Sequence, residues 1–208
     1  VTRMRRVLCW RHGQTSWNAE KRFQGQTDIP LDSTGQAQAE HAARLLATLE
    51  PDAIVASDLR RAADTAAALA RRTGLTVEHD KALRERFGGP WEGLLNTEIQ
   101  QRWPEEYVSR RIPGGEEMTV VGERVAEAVQ RGLDRVPADG LLVVVSHGAA
   151  LRAGINRLLG LPAAHQEVLG PLGNCSWSVL EEMRSGGWRL LEHNAGSLPE
   201  ERVLGDDR

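Results

Sequence analysis

The chain has 208 residues, 40% hydrophobic and 26% charged, with 26 basic and 29 acidic side chains for a net charge of −3. That length accommodates one α/β domain with a full core and is short for two. The weakly acidic balance argues against a nucleic-acid or membrane surface, so an anionic ligand would have to be drawn in by local basic groups.

The first apolar run, Arg6 to Trp10, reads as a buried strand. The basic segment before it, Val1 to Arg6, does not make a signal peptide, because the run is too short. No apolar stretch is long enough to span a membrane, and the protein is expected in the cytoplasm. Cys9, inside the run, reads as a small buried hydrophobe; with Cys175 it makes neither a disulfide framework nor a CxxC metal motif.

Gly13 to Pro30 reads as a polar loop. Ser33 or Thr34 can cap a helix running to about Leu49, which Pro51 stops. Ala53–Ala56 reads as a second strand. Ser57 or Asp58 is expected to cap the next helix, with Gly74 as its C-terminal cap. Thr76–His79 is a short third strand. Leu83 to Gly115 is loop-rich, with a short helix around Thr97–Trp103. A long helix follows from about Thr119 to Val136. Leu141–Val145 is apolar at every residue, as in a strand covered on both faces. A helix over Ala149–Leu159 ends at Gly160. Strands near Ser176–Glu181 and Trp188–Glu192, joined by a turn at Ser185-Gly186-Gly187, close the pattern. Strand–helix alternation of this kind implies a three-layer α/β/α sandwich with a mostly parallel central sheet. With no linker in sight, residues 1–208 are expected to form a single domain, with 91–115 as a loop-rich insertion over the active site and 198–208 as a flexible tail.

Two strands run straight into chemistry. The first leads into Arg11-His12-Gly13 and the most apolar one into Ser146-His147-Gly148. Both histidines therefore leave carboxyl ends of buried strands, the edge where open α/β sheets bind ligands. Arg60-Arg61 follow the second strand and begin a helix, where the dipole disfavours a cation and favours an anion close by. Planar guanidinium donors at such an edge suit a phosphoryl group. Glu85, in Leu83-Arg84-Glu85-Arg86, can reach the same edge as the acid or base that an ester's leaving oxygen requires. Its flanking arginines favour the ionised form, and burial would favour the neutral one. No HExxH, DxD, Walker loop or Gly-X-Ser-X-Gly occurs, so no metal, no cofactor and no serine nucleophile is expected. His12 is left as the nucleophile, with Arg11, the Arg60-Arg61 pair and a protonated His147 available to hold the phosphoryl oxygens.

The residues carrying this reading resemble the ordered signature of the histidine phosphatase superfamily, with its phosphoglycerate mutase-like fold. The resemblance runs through Arg11-His12-Gly13-Gln14-Thr15 with Asn18, Arg22 and Gln24-Gly25; through Ser57 to Ala62; through Leu83-Arg84-Glu85 and Trp91-Glu92-Gly93; through Pro113 to Glu116; and through Val145 to Gly148. It implies His12 as the phosphorylated nucleophile, Arg11, Arg61 and His147 around the phosphate, and Glu85 as proton donor. Asn18 and Gln24 match positions that touch the phosphate or substrate, and Thr15, Gly25 and Gly148 are grouped with them as substrate-binding. Gly88 stands where a larger apolar residue is usual, and Glu117 where serine is common.

Mutases of the family keep a longer shielding insertion than Trp91 to Gly115, so a phosphatase acting on a small phosphorylated substrate is favoured. Gly173 to Trp177, Trp188-Arg189-Leu190 and Asn194-Ala195 resemble actinobacterial glucosyl-3-phosphoglycerate phosphatases. The alternatives are a cofactor-dependent phosphoglycerate mutase, a broad-specificity sugar phosphate phosphatase and, more distantly, a non-catalytic phosphate-binding module. The last needs a missing catalytic residue, and none is missing. The resemblance further implies a homodimer.

Overall fold

The computed structural model describes residues 4–162, 165 and 167–196; the expected tail at 198–208 lies outside them. Six strands form one mixed sheet in the order β3-β2-β4-β1-β5-β6. They are β1 (Arg6–Arg11), β2 (Ala53–Ala56), β3 (Val77–His79), β4 (Leu141–Ser146), β5 (Trp177–Glu182) and β6 (Trp188–Ala195). The four strands from β3 to β1 are parallel, while β5 and β6 add an antiparallel edge. Every residue of β4 is buried, which explains its unbroken apolar run.

The pleat sorts side chains to two cores. Val7 and Cys9 of β1, with Leu142 and Val144 of β4, face α6 (Met118–Leu133) and α7 (Gly148–Leu158). Leu8 and Trp10, with Val143 and Val145, face α2 (Ser33–Ala47) and α3 (Arg60–Thr73). The expected α/β/α layering is therefore present. Cys9 is buried as read, and burial pushes its thiol up to about 12.

Helix starts depart from expectation. Asp32, not Ser33 or Thr34, caps α2, its Oδ1 accepting the Gly35 N–H at 2.7 Å. Neither Ser57 nor Asp58 caps α3. Its first N–H, on Arg60, donates to Asp28 Oδ1 at 2.8 Å across the fold. Ser57 and Asp58 are engaged elsewhere, with His147 and Arg84. Gly74 ends α3 at φ 74, as read. The Gly13–Pro30 loop contains a single turn of helix, α1 (Ser16–Ala19), capped by Thr15. The one short helix expected near Thr97–Trp103 is two, α4 (Asn96–Arg102) and α5 (Pro104–Ser109). Pro104 causes the break: it forces Trp103 out of helical geometry (φ −137, ψ 65) and starts α5 at its first position. Trp91, Ile99 and Ile112 give this segment a small core of its own, with Phe23 and Tyr107 packed on it. The space that a side chain at Gly88 would claim is filled by Phe23, whose Cε1 would lie 2.3 Å from the added Cβ.

Candidate active site

Strand register sets the site. Arg11 pairs with Ser146 and Ala56 with Val145, so β1, β4 and β2 end level. His12 and His147 emerge side by side from that edge, ring centroids 5.1 Å apart and planes tilted by 60°. Gly13 can follow His12 because it has no Cβ, which would sit 2.4 Å from the Gly35 carbonyl oxygen.

His12 is buried, and its Nδ1 lies 2.7 Å from the Gly13 carbonyl oxygen. A carbonyl only accepts, so Nδ1 carries the proton and donates it. Burial, then Arg61 and Arg11, push the imidazole well below its ordinary 6.5. The ring is therefore neutral with an unprotonated Nε2, the form a nucleophile needs. His147 is fully buried. Arg61 Nε donates to its Nδ1 at 3.1 Å, and its Nε2 lies 2.9 Å from Ser57 Oγ. Burial, then Arg61, His12 and Arg11, hold it well below 6.5 as well. The expected protonated His147 is thus neutral here, first because it is buried and then because the Arg61 guanidinium already donates to its Nδ1.

Arg61 is 1% exposed and also donates to Gly25 O at 2.7 Å and Thr27 O at 2.8 Å. Burial lowers it to about 10, still protonated at neutral pH. Gly25 has φ 54, and a Cβ there would lie 2.1 Å from Glu92 Oε1, so only glycine lets this carbonyl face Arg61. Arg11 donates from Nη1 to Leu172 O at 2.5 Å, but its buried Nε has no hydrogen-bond partner among the described residues.

Glu85 docks on the N-terminus of α7. Its Oε1 accepts from Ala150 N (2.9 Å) and Arg86 N (2.8 Å), and its Oε2 accepts from Ala149 N (3.1 Å). Arg11, His12, Asn18, Gln24, Gly25, Arg61 and Glu85 line one cavity of about 260 Å³. Around its mouth stand Arg22, Phe23, Arg86, Arg110, Met118 and Arg152. The cavity therefore carries six arginines against one carboxylate, the local attraction that a chain of net charge −3 requires.

Thr15, His147 and Gly148 are not among the cavity's lining residues. Thr15 is fully buried, and its Oγ1 bonds to Asn18 and Gln24, so it positions two residues that do line the cavity. Gly148 opens α7 and packs beside Arg11, where an added Cβ would make ordinary contact with Nε at 3.4 Å.

Sequence reasoning assigned no role to several supporting residues. Glu92 joins two loops: its Oε1 accepts from Gln26 N and Gly88 N, each at 2.9 Å, and its Oε2 accepts from Thr27 Oγ1 at 2.7 Å. It thus holds the very segment whose carbonyls grip Arg61. Asn174 Nδ2 donates to His12 O at 3.1 Å and Asn18 Oδ1 at 3.2 Å. Arg124 donates to the carbonyls of Ala82, Arg84 and Glu85, fixing the backbone that carries the Glu85 side chain. The Trp91-Glu92-Gly93 and Gly173-Asn174-Cys175 motifs were visible signals, but their partners lie far off in sequence.

A sequence model of the histidine phosphatase superfamily (branch 1) matches residues 7–196. Glucosyl-3-phosphoglycerate phosphatase of Mycobacterium tuberculosis is 39% identical over 223 residues, spanning 97% of this chain and 100% of the relative. A Serratia proteamaculans protein named "Probable phosphoglycerate mutase GpmB" is 36% identical over 196 residues, 89% of this chain and 90% of its own. The solved structure of a mycobacterial glucosyl-3-phosphoglycerate phosphatase complexed with VO3 superposes with a TM-score of 0.87 at 40% identity, over 92% of this chain and 99% of that one.

Proposed function

The chain belongs to the histidine phosphatase superfamily and is a phosphatase, and on that footing we propose that it hydrolyses glucosyl-3-phosphoglycerate through a phosphohistidine on His12. One observation carries the residue assignment: a neutral His12, with Nδ1–H committed to Gly13 O, keeps its Nε2 lone pair in a cavity walled by Arg11 and Arg61.

The steps follow from that geometry. The substrate's phosphoryl oxygens settle on the guanidinium groups of Arg11 and Arg61, with Asn18 and Gln24 beside them. The Nε2 lone pair of His12 forms a bond to phosphorus, and the ester P–O bond breaks. Glu85 supplies the proton to the departing alkoxide. Its Oε2 accepts a single N–H where Oε1 accepts two, so Oε2 retains room for that proton. A water then attacks the phosphohistidine and gives a proton to Glu85. The P–N bond breaks, its electron pair returns to Nε2, and inorganic phosphate leaves. A proton on His147 Nδ1 would end its acceptance of the Arg61 N–H, so His147 stays neutral and positions Arg61.

The same reading treats 1–208 as one catalytic domain with 91–115 over the site; the family match over 7–196 supports it. It also has the enzyme working without a metal, in the cytoplasm and as a homodimer. Arginines supply the charge neutralisation a metal would otherwise provide.

The test is direct. His12→Ala abolishes hydrolysis of an aryl phosphate, and rapid acid-free quenching of wild type with labelled substrate traps phosphate on His12. A chelator leaves the rate unchanged, and glucosyl-3-phosphoglycerate gives the highest kcat/KM in a screen of phosphorylated metabolites. An active His12→Ala protein refutes the nucleophile assignment. Exchange of phosphate between positions of phosphoglycerate, with little free phosphate, would make the chain a mutase like its Serratia relative's name.

A further inference from the structure

The cavity holds more positive charge than a phosphomonoester consumes. Arg11 and Arg61 are assigned to the phosphoryl group. Three of the other arginines are already engaged: Arg22 with Glu20 and Gly93 O, Arg86 with Glu116 O and Arg110 O, and Arg110 with Glu167. Arg152 is different. It lines the cavity, is half-buried, and makes no hydrogen bond or ion pair among the described residues. A half-buried guanidinium with no ion pair, in a cavity where five other arginines outnumber the one carboxylate, Glu85, is favoured by an added anion.

Its place on α7 says where that anion sits. Arg152 follows Gly148 by four residues, which is about 6 Å along the helix axis. Helical Cα–Cβ bonds tilt toward the N-terminus, so the side chain leans back toward the end of α7 that carries Glu85 and abuts Arg11. Ala149, three residues earlier on the same face, lines the cavity too and blocks nothing. The free head group therefore stands a short carbon chain away from the phosphoryl position.

We propose that Arg152 is a specificity residue that binds a carboxylate carried by the phosphomonoester's own carbon skeleton. A planar guanidinium fork matches a carboxylate through two parallel hydrogen bonds. A second phosphoryl dianion would call for more than the one uncommitted arginine. The enzyme's substrates are thus phosphorylated hydroxy acids and their glycosides, ahead of neutral polyol phosphates. The inference rests on the phosphatase reading but is separable from it.

The experiment compares kcat/KM for 3-phosphoglycerate and glycerol 3-phosphate, which differ in the carboxylate. Wild type prefers the carboxylated ester by about tenfold or more, and Arg152→Gln cuts that preference at least fivefold, the worth of about one ordinary hydrogen bond or more. Arg157→Gln, an exposed arginine of the same helix, alters net charge equally and keeps the wild-type ratio. A wild-type preference below fivefold overturns the proposal even if the Arg152 variant fails to fold. So does a ratio that Arg152→Gln leaves within fivefold, or one that Arg157→Gln lowers as much. If neither ester is hydrolysed and His12→Ala behaves as wild type toward an aryl phosphate, the phosphatase reading itself has failed. Hydrolysis of both with an unmoved ratio sinks the carboxylate subsite alone.

Discussion

Two neutral imidazoles buried against arginines make stability depend on pH near neutrality. Both His12 and His147 are held well below 6.5 in the folded chain. In the unfolded chain each titrates at its ordinary value. Between 6.5 and the lowered folded value the unfolded state binds more protons, so stability falls as pH falls. Above 6.5 both states are neutral and the effect vanishes. Going from pH 7.5 to 5.5 protonates a free imidazole from roughly one part in ten to ten in eleven, which stabilises the unfolded chain by on the order of 1 kcal/mol per histidine that stays neutral in the fold. The pair therefore costs on the order of 2 kcal/mol, a sizeable fraction of the stability of an ordinary domain. Urea unfolding followed by tryptophan fluorescence at the two pH values measures it, with the double variant His12→Asn, His147→Asn as reference. The wild type loses that much more stability than the variant. Equal losses in the two proteins would show that the histidines are not the groups responsible, and the neutral-nucleophile argument would lose its electrostatic basis.

Other substitutions probe the scaffold. Gly13→Ala forces a methyl to 2.4 Å from the Gly35 carbonyl oxygen, and backbone cannot yield as a side chain does, so thermal unfolding shows a loss of about 1–3 kcal/mol. Glu92→Ala strips the acceptor from Gln26 N, Gly88 N and Thr27 Oγ1 and loosens the carbonyls that aim Arg61. It weakens competitive inhibition by vanadate about tenfold, the equivalent of about one hydrogen bond, whereas Glu92→Gln, which retains one oxygen, recovers most of it; equal inhibition constants in all three proteins would exclude a positioning role. Glu117 occupies the N-cap of α6 without a side-chain cap bond. Glu117→Ser supplies one and raises stability by about 1 kcal/mol in a melting experiment.

The strands were legible because their signal is local. β2 matches its expected bounds, and β1, β3 and β4 fall within a residue of theirs; for β4 the reason is that a strand buried on both faces must be apolar at every position. Helix starts were not legible to the same degree. Asp28 capping α3 lies 32 residues before Arg60, and no window of sequence contains both. The split of α4 from α5 was readable at Pro104, whose effect on the preceding residue is local. His12, His147, Arg11, Arg61 and Glu85 could be brought together from sequence because each sits at or just past a strand end, and parallel strands share one carboxyl edge. Thr15, Glu92, Asn174 and Arg152 have their roles defined by partners, or by an empty space, that only the folded chain creates.

The arrangement at the edge of the sheet solves a conflict inherent in using histidine against phosphate. A phosphoryl dianion attracts protons to any imidazole it meets, and a protonated His12 cannot attack. In the proposed mechanism Arg11 and Arg61 counter this before substrate arrives: burial first drives the proton off His12, and the charge that would bind the dianion adds to it. The Gly13 carbonyl completes the control by fixing which nitrogen keeps the remaining proton. Burial strengthens each of these effects and would by itself be costly for Arg61, which is why that side chain is tied to two carbonyls and an imidazole. Binding and activation thus draw on one electrostatic source. A design that improved only one of them, for instance by adding an acidic residue beside His12 to orient it, would weaken the other.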